Sequence, residues 1–104
     1  MEVLEKKEHL NQLYDLYKNL LTEKQVLYFE LYYQEDYSLQ EIAELYQVSR
    51  NAVFDHLKKV EEYLHHYEDK LKLHEKNMKR IKLIEAFEQT KDMMYIEQLR
   101  KLDE

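Results

Sequence analysis

Leu10, Leu13, Tyr14, Tyr17, Leu20 and Leu21 recur at the three-and-four spacing of a single helical stripe, which predicts an amphipathic helix over roughly residues 3 to 19. Thr22-Glu23-Lys24-Gln25 then has the form of a capping box, with a hydroxyl to accept the third helical N–H and an amide to reach back. The run that follows, Val26 to Tyr33, is apolar almost all round, as in a helix wedged between others. Periodicity alone also fits a short buried strand, but the flanking caps favour helix. Ser38-Leu39-Gln40-Glu41 is a second capping box, opening a helix of about two turns whose inner face is Leu39, Ile42, Ala43 and Tyr46. Gln47 and Val48 link it to Ser49, which caps a helix carrying Val53, Leu57 and Val60. Two short capped helices joined by so tight a turn form a helix-turn-helix unit.

Beyond Val60 the stripe continues at spacings of three and four through Leu64, Tyr67, Leu71, His74, Met78 and Ile81. This is a heptad seam, and a seam projecting past the core of a small domain needs a partner, so the pattern predicts a homodimer. After Ile84 and Phe87 the register is lost, and Tyr95, Leu99 and Leu102 fit either a short final helix or a frayed tail. The expected organisation is a helix-turn-helix domain over residues 1–63 and a dimerising, basic helical extension over 64–104, together one folding unit.

Composition narrows the class. The chain has 104 residues, enough for one hydrophobic core, and its 44% apolar and 37% charged residues fit a folded chain with a mean hydropathy of -0.83. No apolar run approaches the roughly 20 residues of a membrane span. The charged start Met1-Glu2-Val3-Leu4-Glu5-Lys6-Lys7 lacks the apolar stretch of a signal peptide, so a cytoplasmic location is expected. Cysteine, glycine and proline are all absent. There is thus no disulfide, no thiolate metal site, no cysteine nucleophile and no glycine-rich phosphate loop. With neither chain breaker present, helix ends rest on side-chain caps, and the fold class expected is all-α.

Catalytic chemistry finds no constellation. The two serines, Ser38 and Ser49, sit at cap positions. His65 and His66 point about 100° apart on a helix, and the single Glu62-x-x-His65 is one motif where a di-iron bundle needs two and further glutamates. No enzyme activity, metal or cofactor is expected.

Four blocks carry a resemblance: Leu21-Thr22-Glu23-Lys24-Gln25, Tyr32-Tyr33, Tyr37-Ser38-Leu39-Gln40-Glu41-Ile42-Ala43-Glu44 and Val48-Ser49-Arg50-Asn51-Ala52-Val53-Phe54-Asp55. They resemble the fourth region of bacterial sigma factors and, more narrowly, the YlxM family of small helix-turn-helix proteins from low-GC Gram-positive bacteria, over roughly residues 10 to 76. The resemblance implies a sigma-region-four-like helix-turn-helix domain and a regulatory link to the signal recognition particle, drawn from gene neighbourhood beside that particle's GTPase. It also implies that Ile42, Ala43, Val48, Val53 and Leu57 are internal contacts of the motif. Ser49, Arg50, Asn51, Phe54, Asp55 and Lys58 are implied to face a nucleic-acid groove. The chain departs from the generic motif at Gln47, where many DNA-binding members place glycine.

Net charge, at -6, has the wrong sign for neutralising phosphates. The excess acid is N-terminal: residues 1–48 hold four lysines against ten acids, whereas the remainder is balanced. Lys70, Lys72, Lys76, Lys79, Arg80 and Lys82 face only Glu75 between positions 70 and 82, forming a basic segment suited either to nucleic-acid backbone or to a solvated helix face. Arg50 and Asn51 suit bidentate base contacts and Lys58 a phosphate, while Asp55 opposes them. Tyr14, Tyr17, Tyr28 and Tyr67 fall on buried stripes, and Tyr32, Tyr33 and Tyr37 stay open to core packing or base stacking. The expected function is a regulatory protein of the signal recognition particle pathway that binds DNA or the particle's RNA. The alternative is an acidic adaptor that contacts the particle's GTPase or its receptor without reading nucleic acid.

Overall fold

The computed structural model describes residues 3–102, and among them every regular element is a helix, with no strand. Residues 1, 2, 103 and 104, which belong to the expected N-terminal and C-terminal segments, lie outside the described residues. The elements are α1 (Val3–Tyr17), a 3₁₀ turn (Lys18–Leu20), α2 (Glu23–Phe29) continued by a π turn (Glu30–Gln34), α3 (Leu39–Tyr46), α4 (Arg50–Leu71), α5 (Leu73–Thr90) and α6 (Met93–Lys101). They divide into two compact units, one running to Lys70 and the other from Leu71.

In the first unit, both capping boxes form as read. Thr22 accepts from the Gln25 amide N–H while the Gln25 side chain accepts from Thr22, and Ser38 and Glu41 repeat the exchange at α3. Leu10, Leu13, Tyr14 and Tyr17 of α1 are buried, but the chain tightens into the 3₁₀ turn and turns Leu20 outward. The α1 stripe meets Tyr28, Phe29 and Tyr33 of α2 and its π turn, Ile42 and Ala43 of α3, and Val53, Leu57, Val60 and Leu64 of α4 in one core. Tyr14 stacks on Phe29 with ring centres 4.3 Å apart. Fully burying side chains of this size is worth about 1.5 to 3 kcal/mol each, which makes this cluster the main source of stability in the unit.

Two sequence expectations are corrected here. The seam is not carried by an unbroken helix: Lys72 adopts a left-handed conformation (φ 57°) that ends α4 at Leu71 and lets α5 begin at Leu73. Leu64 does not project toward a partner either, because it is fully buried in the core of its own unit. Tyr67 packs beside it against Tyr17, ring centres 6.0 Å apart, and its hydroxyl donates to the Leu20 carbonyl at 3.3 Å.

In the second unit, α5 and α6 pair as a hairpin. α5 ends at Lys91, again left-handed, whose N–H bonds the Phe87 carbonyl. Asp92 then caps α6 by accepting from the Met94 N–H at 2.9 Å. Tyr95, Leu99 and Leu102 thus follow a true final helix, with Leu102 as its terminal cap residue. No residue of α5 or α6 is buried.

Candidate nucleic-acid interface

The turn between α3 and α4 is built without glycine. Gln47 takes the left-handed conformation (φ 55°, ψ 46°), and behind it the Val48 N–H bonds the Ala43 carbonyl at 3.0 Å while the Gln47 N–H bonds Glu44 at 3.4 Å. This pair of bonds is a Schellman motif, which satisfies the last α3 carbonyls and redirects the chain sharply. Ser49 then accepts from the Ala52 N–H at 3.0 Å, capping α4. The structure therefore gives Ser49 a capping role. Val48 is not an internal contact as the resemblance implied: it is 38% exposed, since the redirected chain carries it over the outer side of the turn.

α4 buries one face, formed by Val53, Leu57, Val60 and Leu64. Arg50, Asn51, Phe54, Asp55 and Lys58 all stand exposed on the other side of its first turns. Phe54, a large apolar side chain, is 52% exposed. Among the described residues, no side-chain hydrogen bond or ion pair engages Arg50, Asn51, Asp55 or Lys58, so their donors and acceptors point to solvent. One turn further on, Glu61 and Glu62 bring negative charge to the same helix and limit the neutral-to-basic stretch to its N-terminal part.

Two side chains that the sequence reading passed over also contribute. Lys59 is exposed on α4 next to Lys58. Lys6 of α1 lines a groove of about 270 Å³ beside Phe54 and Lys58, and pairs with Glu61 at 3.5 Å. No local signal in the sequence marks Lys6, because only tertiary folding brings α1 to α4. A second groove, of about 430 Å³, shares Lys6 and Tyr33 with the first and is lined by Tyr32 and Tyr37 with Lys7 and Asp36. These two tyrosines are half-buried, whereas Tyr33 joins the core.

The buried tyrosines hand their hydroxyls to carboxylates: Tyr14 to Glu30 at 2.7 Å, Tyr17 to Glu68 at 2.6 Å, and Tyr33 to Glu61. Burial, reinforced by the accepting carboxylate, holds the Tyr14 and Tyr33 phenols well above the ordinary tyrosine range. His56, on α4 against Tyr28 with ring centres 4.5 Å apart, has a buried Nε2 with no hydrogen-bond partner. Burial and the nearby Lys24 charge lower its basicity.

The basic residues divide between elements: Lys70 lies in the last turn of α4, Lys72 is the left-handed link, and Lys76, Lys79, Arg80 and Lys82 belong to α5. Within α5, Arg80 and Lys82 point about 160° apart. Lys79 pairs with Glu75 at 3.6 Å and Arg80 donates to Asn77 at 2.7 Å. Of the expected seam, Leu71, Met78 and Ile81 are exposed and His74 is half-buried. Among the described residues no set of three or more histidines and carboxylates is placed to hold a metal, and no helix is long and apolar enough to cross a membrane.

Over residues 4–102 the chain matches the UPF0122 family, described as "Putative helix-turn-helix protein, YlxM / p13 like". It is 48% identical to a UPF0122 protein of Oceanobacillus iheyensis, with 96% of each chain covered. To a UPF0122 protein of Bacillus licheniformis it is 47% identical, covering 96% of this chain and 98% of that one. A UPF0122 protein of Anoxybacillus flavithermus is 54% identical across 79% of this chain and 74% of its own length.

Proposed function

The chain belongs to the UPF0122 family of YlxM/p13-like helix-turn-helix proteins, and from that premise we propose that it is a nucleic-acid-binding regulatory protein rather than an enzyme. The observation that carries this reading is the N-terminal part of α4, where Arg50, Asn51, Phe54 and Lys58 stand exposed and unengaged behind the hydrogen-bonded turn at Gln47. A helix end of this kind fits the major groove of duplex DNA, with Arg50 and Asn51 at base edges, Phe54 against a thymine methyl and Lys58 at phosphate. The A-form major groove is too narrow for side chains to read, so on RNA the same residues would have to meet unpaired bases. The resemblance to the YlxM family makes the signal recognition particle's RNA the RNA to test, in a cytoplasmic protein acting as a homodimer.

The test is a fluorescence-anisotropy titration with that RNA and with random duplex DNA, at low and near-physiological salt. Binding that weakens at least tenfold in the double variant Arg50→Ala, Asn51→Ala is the expected result, because each bidentate pair is worth about 1 to 3 kcal/mol. Unchanged affinity in the variant overturns the reading.

The excess acid of the first 48 residues, and Asp55 in the middle of the α4 face, support a second reading, an acidic adaptor for the particle's GTPase or its receptor. A failure of the wild-type chain to bind either nucleic acid, together with binding to the GTPase, selects it.

A further inference from the structure

We infer that two copies of this chain pair through α5 in antiparallel register, with Asn77 of one copy opposite Glu88 of the other. The inference rests on the homodimer reading above and gives it a surface and a direction.

α5 is apolar on two faces. Leu83, Ala86 and Phe87, on one side, are half-buried within the α5–α6 hairpin. Met78, Ile81 and Ile84 mark the other and remain 43%, 47% and 43% exposed. A helix with two apolar faces takes two neighbours, and within its unit α5 has one. A second copy of the chain can supply the neighbour that this exposed stripe calls for.

Charge on the stripe selects both the partner and the direction. Around Met78, Ile81 and Ile84, the same face of the helix carries His74 and Asn77 toward its start and Glu88 toward its end. In a parallel pair Glu88 of each copy would meet its counterpart in the seam, two like charges with no cation between them. In an antiparallel pair Ile81 packs on Ile84 twice, and Glu88 arrives at Asn77. That amide already accepts a hydrogen bond from Arg80, so the incoming carboxylate meets a positive guanidinium at the edge of the seam. The stripe is thus complementary to a reversed copy of itself, which is the requirement of an isologous interface.

The absence of cysteine makes the test clean. Asn77→Cys and Glu88→Cys are prepared as separate variants of the whole chain, mixed, and treated with a short thiol-reactive bis-maleimide cross-linker, with solution mass followed by sedimentation. The expected result is a dimer that links Asn77→Cys to Glu88→Cys and forms no link when either variant is treated alone. Links within each single variant, or a dimer without links, overturn the antiparallel α5 pairing and leave the homodimer standing. A monomer at micromolar concentration overturns both. Ile81→Glu, with helicity checked by circular dichroism, should shift the wild-type dimer to monomer, and a persistent dimer again removes α5 from the interface.

Discussion

The Tyr33 hydroxyl donates to the Glu61 carboxylate, joining the π turn that follows α2 to the middle of α4 across 28 positions of sequence. Glu61 also pairs with Lys6 of α1 at 3.5 Å, so one carboxylate ties three elements together at the margin of the core. Tyr33→Phe should cost about 1 to 2 kcal/mol in urea denaturation, since it removes a hydrogen bond to a charged group while keeping the ring. Buried phenols of this kind also make stability depend on alkaline pH. In the folded chain the Tyr14 and Tyr33 phenols hold their protons above the ordinary value of 10. Unfolding lets them ionise near that value, so the stability they contribute is complete below about pH 10 and is lost as pH rises further. The double variant Tyr14→Phe, Tyr33→Phe should show a flatter loss of stability between pH 9 and 11 than the wild type, and an equal slope would deny these two phenols that role.

Gln47 occupies a left-handed position that costs a residue with a Cβ about 1 to 2 kcal/mol. Gln47→Gly relieves that strain and gives back part of it through the greater entropy of the unfolded chain. The expected net gain is about 0.5 to 1 kcal/mol in the urea midpoint, with nucleic-acid affinity unchanged, because the Schellman bonds are made by backbone. Gln47→Val should lose stability, as β-branching makes the left-handed conformation harder still.

The strain at Gln47 was visible in the sequence as a departure from a motif that favours glycine. That at Lys72 was not. Capping boxes at Thr22 and Ser38 were legible because each is a local exchange between residues three apart, complete in the string itself. The break at Lys72 has no such mark: no glycine or proline signals it, and the apolar spacing passes from Leu71 to His74 as though the helix continued. Leu64 was assigned to a partner for a related reason. Periodicity gives the direction of a side chain around its helix but not what lies in that direction, and for Leu64 it is the core of its own unit. Lys6 at the α4 groove needed the fold itself.

His56 titrates the opposite way from the tyrosines. Burial, followed by the charge of Lys24, lowers its basicity in the folded state, so the unfolded chain binds the proton more readily. Its contribution is complete above the ordinary histidine value of about 6.5 and is lost as pH falls below it. His56→Phe keeps a ring against Tyr28 and removes the unpartnered Nε2. Denaturation midpoints between pH 7 and 5 should fall less steeply in this variant, and identical slopes would place the acid sensitivity elsewhere.

Phe54 and Lys58 separate function from stability. Both are exposed, so Phe54→Ala and Lys58→Gln should leave the unfolding free energy within about 0.5 kcal/mol of wild type. On nucleic acid they should differ. Lys58→Gln weakens binding to all sequences alike and lowers the salt slope by about one, as loss of a single phosphate contact does. Phe54→Ala keeps the salt slope and narrows the difference between thymine-containing and uracil-substituted duplexes, because the methyl contact goes with the ring. Equal salt slopes for Lys58→Gln and wild type would move the phosphate contact to Lys59 or Lys6.

Leu64 and Ile81 had the same standing in the apolar pattern and have different ones in the structure. Leu64 is fully buried among α1 and α4 side chains of the first unit, whereas Ile81 is half-exposed on α5. Leu64→Ala opens a cavity in a packed core and should cost about 2 to 5 kcal/mol in chemical denaturation. The loss should be independent of protein concentration, because the contacts removed lie within one chain. Ile81→Ala should lose little when the chain is dilute and more when it is concentrated, since contacts between copies are linked to folding by mass action. A concentration-dependent loss from Leu64→Ala would return that residue to the intermolecular seam its spacing first suggested.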